Sequence, residues 1–201
     1  IEEGDIVISA GTEAGTNKVE QVGKDTVNND KDTIITNRNE GTASSNTVTI
    51  EANGENDKVE VTLKDVNIDA SSRSEAAVRV TGKGDTTIEL NGDNELKSGA
   101  GHAGLEHNKT DTSGELTIQD KDKNGSLTAA AGAGSAGIGG SYGHDGEVTI
   151  SGGTIDATSN NGGAGIGGGK IDNSYVGGNG TVKITGGNIT AKADGQGAGI
   201  G

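Results

Sequence analysis

The segments Val148-Thr-Ile-Ser-Gly-Gly-Thr-Ile-Asp-Ala157 and Val182-Lys-Ile-Thr-Gly-Gly-Asn-Ile-Thr-Ala191 repeat one pattern at a shift of 34 residues. The motif Ala-Gly-Ile-Gly follows each segment at the same shift, beginning at Ala164 and again at Ala198. Internal similarity at a fixed spacing of about 20–50 residues is typical of solenoids. The pattern therefore predicts a chain built from stacked repeats.

Weaker copies of the pattern begin earlier in the chain, at Leu116, Ile88 and Val61, with fainter copies at Ile34 and Ile6. Each of the last five units contains three short segments in which apolar and polar residues alternate. This alternation is typical of strands with one buried face. The Gly, Asn and Asp residues between the segments favour tight connections.

The repeats predict an all-β fold, a right-handed parallel β-helix of about seven coils with three short strands each. A coil is one circuit of the chain, and each strand pairs with its equivalents in neighbouring coils, about 4.8 Å away. Stacking buries a continuous column of aliphatic side chains that no single coil would bury alone. The right hand follows from the usual hand of parallel β connections. The third strands are expected to stack through Val78, Leu105, Ile138, Ile166 and Ile200.

We expect a single β-helix domain over 1–201, with divergent N-terminal coils at 1–60 and regular coils at 61–201. The chain begins at Ile1 rather than at Met, which favours a fragment of a larger surface protein.

The composition excludes several classes of protein. With 38 Gly and a hydrophobic fraction of 28%, it would by itself also suit a disordered chain, so order must come from the repeats. The absence of Cys excludes disulfides, Cys-ligated zinc and thiol catalysis. A net charge of -14 argues against nucleic-acid binding, because phosphate contacts need clustered Lys and Arg. No long apolar run predicts membrane insertion.

One acidic segment has the spacing of a calcium loop. Asp120, Asp122 and Asn124 supply oxygen side chains at positions one, three and five, and Gly125 follows, as at the start of an EF-hand loop. The Glu expected at position twelve is absent, because Ala131 stands there. The alternative is a polar β-turn between two strands.

Three aspartates are predicted to stack along one edge of the solenoid. Asp65, Asp93 and Asp120 follow strand starts by four or five residues in three consecutive units. Carboxylates about 5 Å apart repel one another, and a Ca²⁺ ion between them would relieve that repulsion. Neighbouring Asn and Lys side chains, or splaying into solvent, are the alternatives. Calcium is therefore a possible cofactor.

The two tyrosines provide the main indication of a ligand site. Tyr142 and Tyr175 are expected in the same loop of adjacent coils, where two rings would suit a sugar face. The polar side chains beside them suit sugar hydroxyls, and they are His144, Asp145, Asn173 and Asn179. The alternative is that the tyrosine pair only covers a glycine-rich loop.

The sequence contains little that indicates catalysis. His102 and His107 are five residues apart in a loop-like stretch, which favours separate surface histidines. Gly137, Gly165 and Gly199 lie in the third strands, where they suit tight curvature or close approach of a ligand. We therefore expect a protein that is not an enzyme.

The units Gly146-Glu-Val-Thr-Ile-Ser-Gly-Gly-Thr-Ile-Asp-Ala157 and Val61-Thr-Leu-Lys-Asp-Val-Asn-Ile-Asp-Ala70 resemble a family of bacterial secreted and cell-surface carbohydrate-binding domains. That family has a right-handed parallel β-helix, related in shape to pectate lyases, and the resemblance covers about 59–201. It implies an extracellular location, contact with polysaccharide or a host glycan, and often calcium.

The first hypothesis is therefore a non-catalytic polysaccharide-binding module, with its oligomeric state open. The alternatives are a structural stalk or adhesin segment without a glycan site and, less favoured, a calcium-dependent polysaccharide lyase.

Overall fold

The structure is a computed structural model that describes residues 1–39, 41–172 and 177–201. Within these residues all regular elements are β-strands, and no helix is long and apolar enough to cross a membrane. In chain order, the strands of the first third are β1 (Ile6–Ala10), β2 (Asn17–Gln21), β3 (Val27–Asp30), β4 (Ile34–Thr36), β5 (Val48–Ala52), β6 (Lys58–Lys64) and β7 (Asn67–Asp69).

The middle strands are β8 (Val78–Gly82), β9 (Asp85–Asn91), β10 (Asp93–Lys97), β11 (Leu105–His107), β12 (Leu116–Gln119) and β13 (Ser126–Ala133). The last strands are β14 (Ile138–Gly139), β15 (Gly146–Ile150), β16 (Thr154–Asn160), β17 (Ile166–Gly167), β18 (Gly180–Ile184) and β19 (Asn188–Lys192).

Three stacked sheets form the walls of a β-solenoid. In the described chain, sheet one has the order β18-β15-β12-β9-β6-β4, and sheet two has the order β19-β16-β13-β10-β7. Sheet three has the order β17-β14-β11-β8-β5-β1-β2-β3. Val148 pairs in register with Val182, so the 34-residue shift of the sequence is the number of residues in one coil. The predicted all-β parallel β-helix is confirmed.

The third strands stack as expected. Val78 pairs with Leu105, Leu105 with Ile138, and Ile138 with Ile166. A single parallel bridge continues the column from Ile166 to Ile200. The glycine-rich strands therefore belong to the same wall as the Val-rich and Leu-rich strands before them.

The predicted number of about seven coils is wrong. The solenoid has about five coils, which start at β6, β9, β12, β15 and β18 in the described chain. An incomplete coil precedes them, made of β4, a bridge from Ser44 to Ile68, and β5. The predicted coil start at Ile34 is confirmed, and the predicted coil start at Ile6 is wrong.

The strand at Ile6 belongs to a different wall from the one predicted. Ile6 in β1 pairs with Val48 of sheet three rather than with a first strand. From β1 the chain turns back, so that β2 runs antiparallel to β1 and β3 antiparallel to β2. Alternation alone identifies a strand with one buried face but not its partner. The N-terminal end of sheet three is consequently a meander and not the further coil predicted at Ile6.

A two-residue slip separates two neighbouring first strands. Leu116 lies opposite Thr86, and Ile118 lies opposite Ile88, so the apolar pairs of β9 and β12 are offset. Because side chains alternate with a period of two, a slip of two residues keeps every side chain on its own face. The slip leaves Thr86 fully buried, with a hydroxyl oxygen that has no hydrogen-bond partner in the described chain.

The core is a column of aliphatic side chains inside the three walls. Ile50, Leu63, Ile88, Ile118 and Ile138 are fully buried members of it. Burial alternates along each strand, as in the pattern of Gly146–Ile150. Among the described residues this column contains no Tyr, Phe or Trp, so stability depends on many aliphatic side chains. Full burial of one Val, Leu or Ile side chain contributes roughly 1.5–3 kcal/mol.

Candidate functional site

One groove on the outside of sheet three gathers all three histidines of the chain. We call it the histidine groove; its cavity volume is about 440 Å³. It is lined by Arg79, Val80, Thr81, Gly82, His102, Glu106, His107, Asn108, Thr110, Ser113, Ser141 and His144. The chain contains 3 His in 201 residues, so their convergence identifies this groove as the leading candidate site.

Arg79, Glu106 and His102 are joined by hydrogen bonds at the groove. Arg79 of β8 and Glu106 of β11 are paired in register in neighbouring coils. The Arg79 Nε donates to Glu106 Oε1 over 2.9 Å, and His102 Nδ1 lies 2.7 Å from Glu106 Oε2. Only 3% of the Glu106 side chain is exposed. A carboxylate buried to this extent needs such partners, because an unpaired buried charge is strongly unfavourable.

His107 lies beside this trio but is buried in the wall. The residue is 2% exposed, and its Nδ1 donates to the backbone carbonyl of Glu147 over 2.8 Å. Burial lowers the pKa of His107 below its ordinary value of 6.5. The ring is therefore neutral near pH 7, and it couples one coil to the next.

The rim of the groove is held to the coil above it. The Asn108 Oδ1 accepts hydrogen bonds from the backbone nitrogen of Ser141 over 2.8 Å and from its Oγ over 3.0 Å. The backbone nitrogen of Lys109 donates to the carbonyl of Asp145 over 2.9 Å. These bonds fix the two loops that carry Asn108 and His144, so the groove has a defined shape before any ligand arrives.

The predicted sugar-binding residues fall partly at this groove. His144 is exposed and lines it, and Tyr142 is two residues away with 42% of its surface exposed. The backbone nitrogen of Tyr142 donates to the carbonyl of Gly101, next to His102. A methyl group at Gly134 would collide with the Tyr142 ring, so one edge of that ring rests on the glycine.

Asp145 and Asn179 are brought together in adjacent coils. The backbone nitrogen of Asn179 donates to Asp145 Oδ1 over 2.7 Å, and the Asn179 amide group lies 3.5 Å from Oδ2. Asp145 therefore stabilises the connection between coils. Tyr175 and Asn173 lie outside the described residues, so the tyrosine pair stays a prediction.

The Asp120 segment forms a closed polar turn. Asp120 Oδ1 accepts from the backbone nitrogen of Asn124, and Oδ2 accepts from that of Gly125, each over 3.1 Å. Lys123 within the turn has a positive φ of 58°, and Asp122 is exposed. These bonds are those of an aspartate that caps a tight turn. Asp120 therefore stabilises the connection between β12 and β13.

Asp65 and Asp93 lie close together beside sheet two, but Asp120 does not continue the predicted row, because the register partner of Asp93 in the next coil is Ser126. The backbone nitrogen of Asp93 donates to Asp65 Oδ1 over 3.1 Å, and Ser126 Oγ donates to Asp93 Oδ1 over 2.8 Å. In the described chain, no three or more Asp, Glu, His or Cys side chains converge to hold a metal ion. Calcium prefers six to eight oxygen ligands, so binding here stays a prediction that needs further donors.

Glu106 is the candidate site residue that the sequence analysis missed. Its partner Arg79 precedes it by 27 residues, the spacing of two coil starts in that part of the chain. Two residues of opposite charge at equivalent positions of neighbouring repeats were the sequence signal that could have indicated this pair. The expectation of separate surface histidines is wrong, because His102 and His107 line one groove and His107 is buried.

A family model described as a beta helix repeat matches residues 148–170 and 182–201. Both stretches lie in the last two coils, where the sequence repeat is most regular. The match covers less than half of the chain and agrees with the stacked coils. This chain is a parallel β-solenoid. No curated protein matches it, and no solved structure matches it either.

Proposed function

We propose that this solenoid is a non-catalytic, extracellular module that binds polysaccharide at the histidine groove. The observation that carries the proposal is the groove itself, an open cavity of about 440 Å³ with hydroxyl, amide, imidazole and guanidinium groups along one wall. Ligand sites commonly have volumes of about 300–1,000 Å³ and a few well-placed polar groups. Sugars present many hydroxyls, which both donate and accept hydrogen bonds.

Tyr142 supports the choice of sugar over other polar ligands. It is the one tyrosine among the described residues and is 42% exposed, and it lies in the loop that also supplies Ser141 and His144 to the groove. Aromatic rings combine an apolar face with a polar tip. A sugar ring stacked on Tyr142 would lie beside the loop that supplies Ser141 and His144 to the groove.

The lining favours binding over hydrolysis. Among the described residues of the groove, Glu106 is the one carboxylate, and both of its oxygens already have partners. Glycosidases commonly need two carboxyl groups on opposite sides of the bond that is cleaved. The histidine groove offers no such pair in the described chain, which supports a binding module.

The test is a binding measurement on a panel of plant and bacterial polysaccharides, by affinity electrophoresis and calorimetry. We expect Tyr142→Ala and His144→Ala each to weaken binding of the best ligand by about tenfold. Lys183→Ala is the control, because Lys183 is exposed on sheet one in another wall of the solenoid.

Absence of binding to every polysaccharide, with and without Ca²⁺, would overturn the proposal and favour the stalk or adhesin alternative. Release of an unsaturated product from polygalacturonate, seen by ultraviolet absorbance, would instead favour a lyase. Undiminished binding by both groove variants would place the glycan site elsewhere on the solenoid.

A further inference from the structure

The hydrogen bonds of His102 determine which of its ring nitrogens carries the proton. Its Nδ1 lies 2.7 Å from Glu106 Oε2 and 3.1 Å from Arg79 Nη2. A carboxylate oxygen accepts a hydrogen bond, whereas a guanidinium nitrogen can only donate one. The contact with Glu106 requires a proton on Nδ1, whereas the contact with Arg79 requires a lone pair there. The contact with the carboxylate is the shorter of the two and favours a proton on Nδ1.

Arg79 then acts on Glu106 rather than on the ring. Its Nε donates to Glu106 Oε1 over 2.9 Å, which leaves Oε2 directed to His102. Glu106 is 2% exposed, so water offers it little alternative. The arrangement is that of a carboxylate that fixes the tautomer and orientation of an imidazole.

A neutral imidazole with its proton on Nδ1 has a lone pair on Nε2. His102 lines the groove with 22% of its side chain exposed, and Nε2 makes no hydrogen bond to any described residue. In the neutral ring this nitrogen is available to a ligand as an acceptor. A hydroxyl group satisfies an acceptor by donating its proton, whereas a carboxylate or sulfate oxygen would face the lone pair.

We propose that His102 is a specificity-determining residue of the histidine groove, whose Nε2 accepts a hydrogen bond from a hydroxyl of a neutral sugar. Glu106 and Arg79 are positioning residues that act through the ring. This inference rests on the proposed glycan-binding function and adds to it the kind of group that is recognised. A neutral sugar unit is favoured at this position over a uronate or sulfated one.

The first test needs no ligand. Nitrogen-15 NMR of the whole protein distinguishes the two tautomers of each imidazole, and His102→Gln assigns the His102 signals. We expect the Nδ1–H tautomer for His102. Glu106→Gln can donate an amide proton to Nδ1 and should shift the ring toward the Nε2–H tautomer. Glu147→Gln is the control, because the Glu147 side chain contacts Lys109 and not His102. An Nε2–H tautomer, or a ring protonated on both nitrogens near pH 7, in the unmodified protein would overturn the proposal.

The second test measures affinity for cellohexaose and maltohexaose, with hexagalacturonate as the anionic comparison. We expect His102→Phe to weaken binding of the neutral hexasaccharides by about tenfold. His102→Gln should restore part of that loss, because its amide oxygen can accept the same hydrogen bond.

Two outcomes separate this proposal from the glycan function. Unchanged affinity of His102→Phe for a neutral sugar would overturn the role of His102 while polysaccharide binding stands. An Nδ1–H tautomer together with no affinity for any sugar would support the fixed ring and contradict the proposed function.

Discussion

Arg79 and Glu106 form an ion pair between neighbouring coils of the solenoid, with the Arg79 Nε 2.9 Å from Glu106 Oε1. The pair is asymmetric, because 37% of the Arg79 side chain is exposed but only 3% of the Glu106 side chain. Removing either partner therefore has different consequences. Loss of Arg79 leaves a buried carboxylate without its main counter-charge, whereas loss of Glu106 leaves a cation that can turn toward water.

We expect Arg79→Ala to destabilise the fold by about 2–4 kcal/mol, because it leaves the Glu106 charge buried with His102 as its remaining partner. Chemical denaturation monitored by circular dichroism measures this loss. Lys97→Ala is the matched control, since Lys97 pairs with Asp69 of the previous coil at 3.1 Å but both side chains are well exposed. Exposed pairs contribute about 0–1 kcal/mol. Equal losses in the two variants would contradict the prediction.

His107 makes the stability of the fold sensitive to mild acid. Its pKa in the folded protein is lowered by burial from the ordinary value of 6.5, so the unfolded chain binds a proton that the folded chain resists. Above about pH 6.5 neither state is protonated and the free energy of unfolding is unaffected. As the pH falls below that value, stability decreases with a slope of up to about 1.4 kcal/mol per pH unit until the folded-state pKa is reached.

We expect His107→Asn to flatten this slope between about pH 5 and 6.5, because Asn can still donate to the Glu147 carbonyl but does not titrate. Thermal melts over that range provide the measurement, and His144→Asn in the exposed loop is the control. Hydrogen bonds from Arg73 are the main cause that lowers the pKa of Asp5 below 3.8, and hydrogen bonds from Ser71 are the main cause that lowers that of Asp69. Their stabilisation is lost only at more acid pH. An unchanged slope in His107→Asn would show that His107 does not cause the loss of stability in mild acid.

Substitution of Asp120 can distinguish a turn-forming role from a calcium-binding role. Asp120→Ala removes the acceptor of two backbone hydrogen bonds, to Asn124 and Gly125, and should cost about 1–2 kcal/mol. That corresponds to a drop of about 2–8 °C in melting temperature for a chain of this size. If Asp120 acts through the turn alone, the drop is the same in millimolar Ca²⁺ and in chelator.

Asp122→Ala is the control for the same segment, because Asp122 is exposed in the Asp120 turn. We expect its melting temperature to be close to that of the unmodified protein in chelator. A rise in the melting temperature of the unmodified protein with Ca²⁺, lost in Asp122→Ala, would establish the ion site that the sequence spacing suggested.

Most of the fold was predictable because each coil of a solenoid repeats the strand pattern of its neighbours. The 34-residue shift from Val148 to Val182 is a register between strands, so sequence similarity located the partner as well as the strand. The N-terminal end has no such self-similarity. There, the alternation around Ile6 predicted a strand correctly, but its pairing with Val48 depends on contacts that no repeat marks.

The histidine groove was less predictable because it is formed by loops and by side chains that come from different coils. His102 and His107 are five residues apart in the sequence, but their environments are set by Arg79 in the previous coil and Glu147 in the next. A buried Glu has no periodic signature of its own. The predicted stacking of Val78 on Leu105 places Arg79 opposite Glu106, but it does not show that Glu106 is buried.

Gly139 is required by the close approach of two coils. Its φ is +123°, and a Cβ atom placed on it would collide with the carbonyl oxygen of Gly167, its register partner in the next coil. Gly139→Ala therefore combines backbone strain of about 1–3 kcal/mol with overpacking of about 1–3 kcal/mol. Gly143→Ala is the matched control, because Gly143 has a φ of +85° but no atom within 4 Å of its Cβ position.

We expect Gly139→Ala to lower the free energy of unfolding by about 2–6 kcal/mol, as the sum of both effects, and Gly143→Ala by about 1–2 kcal/mol from strain alone. Denaturant titration of both variants measures the difference, which isolates the contact between coils from the cost of a positive φ. Equal losses would mean that the coils separate readily at this corner. A larger loss in Gly139→Ala would mean that Gly139 is needed for the close backbone contact with Gly167 in the next coil.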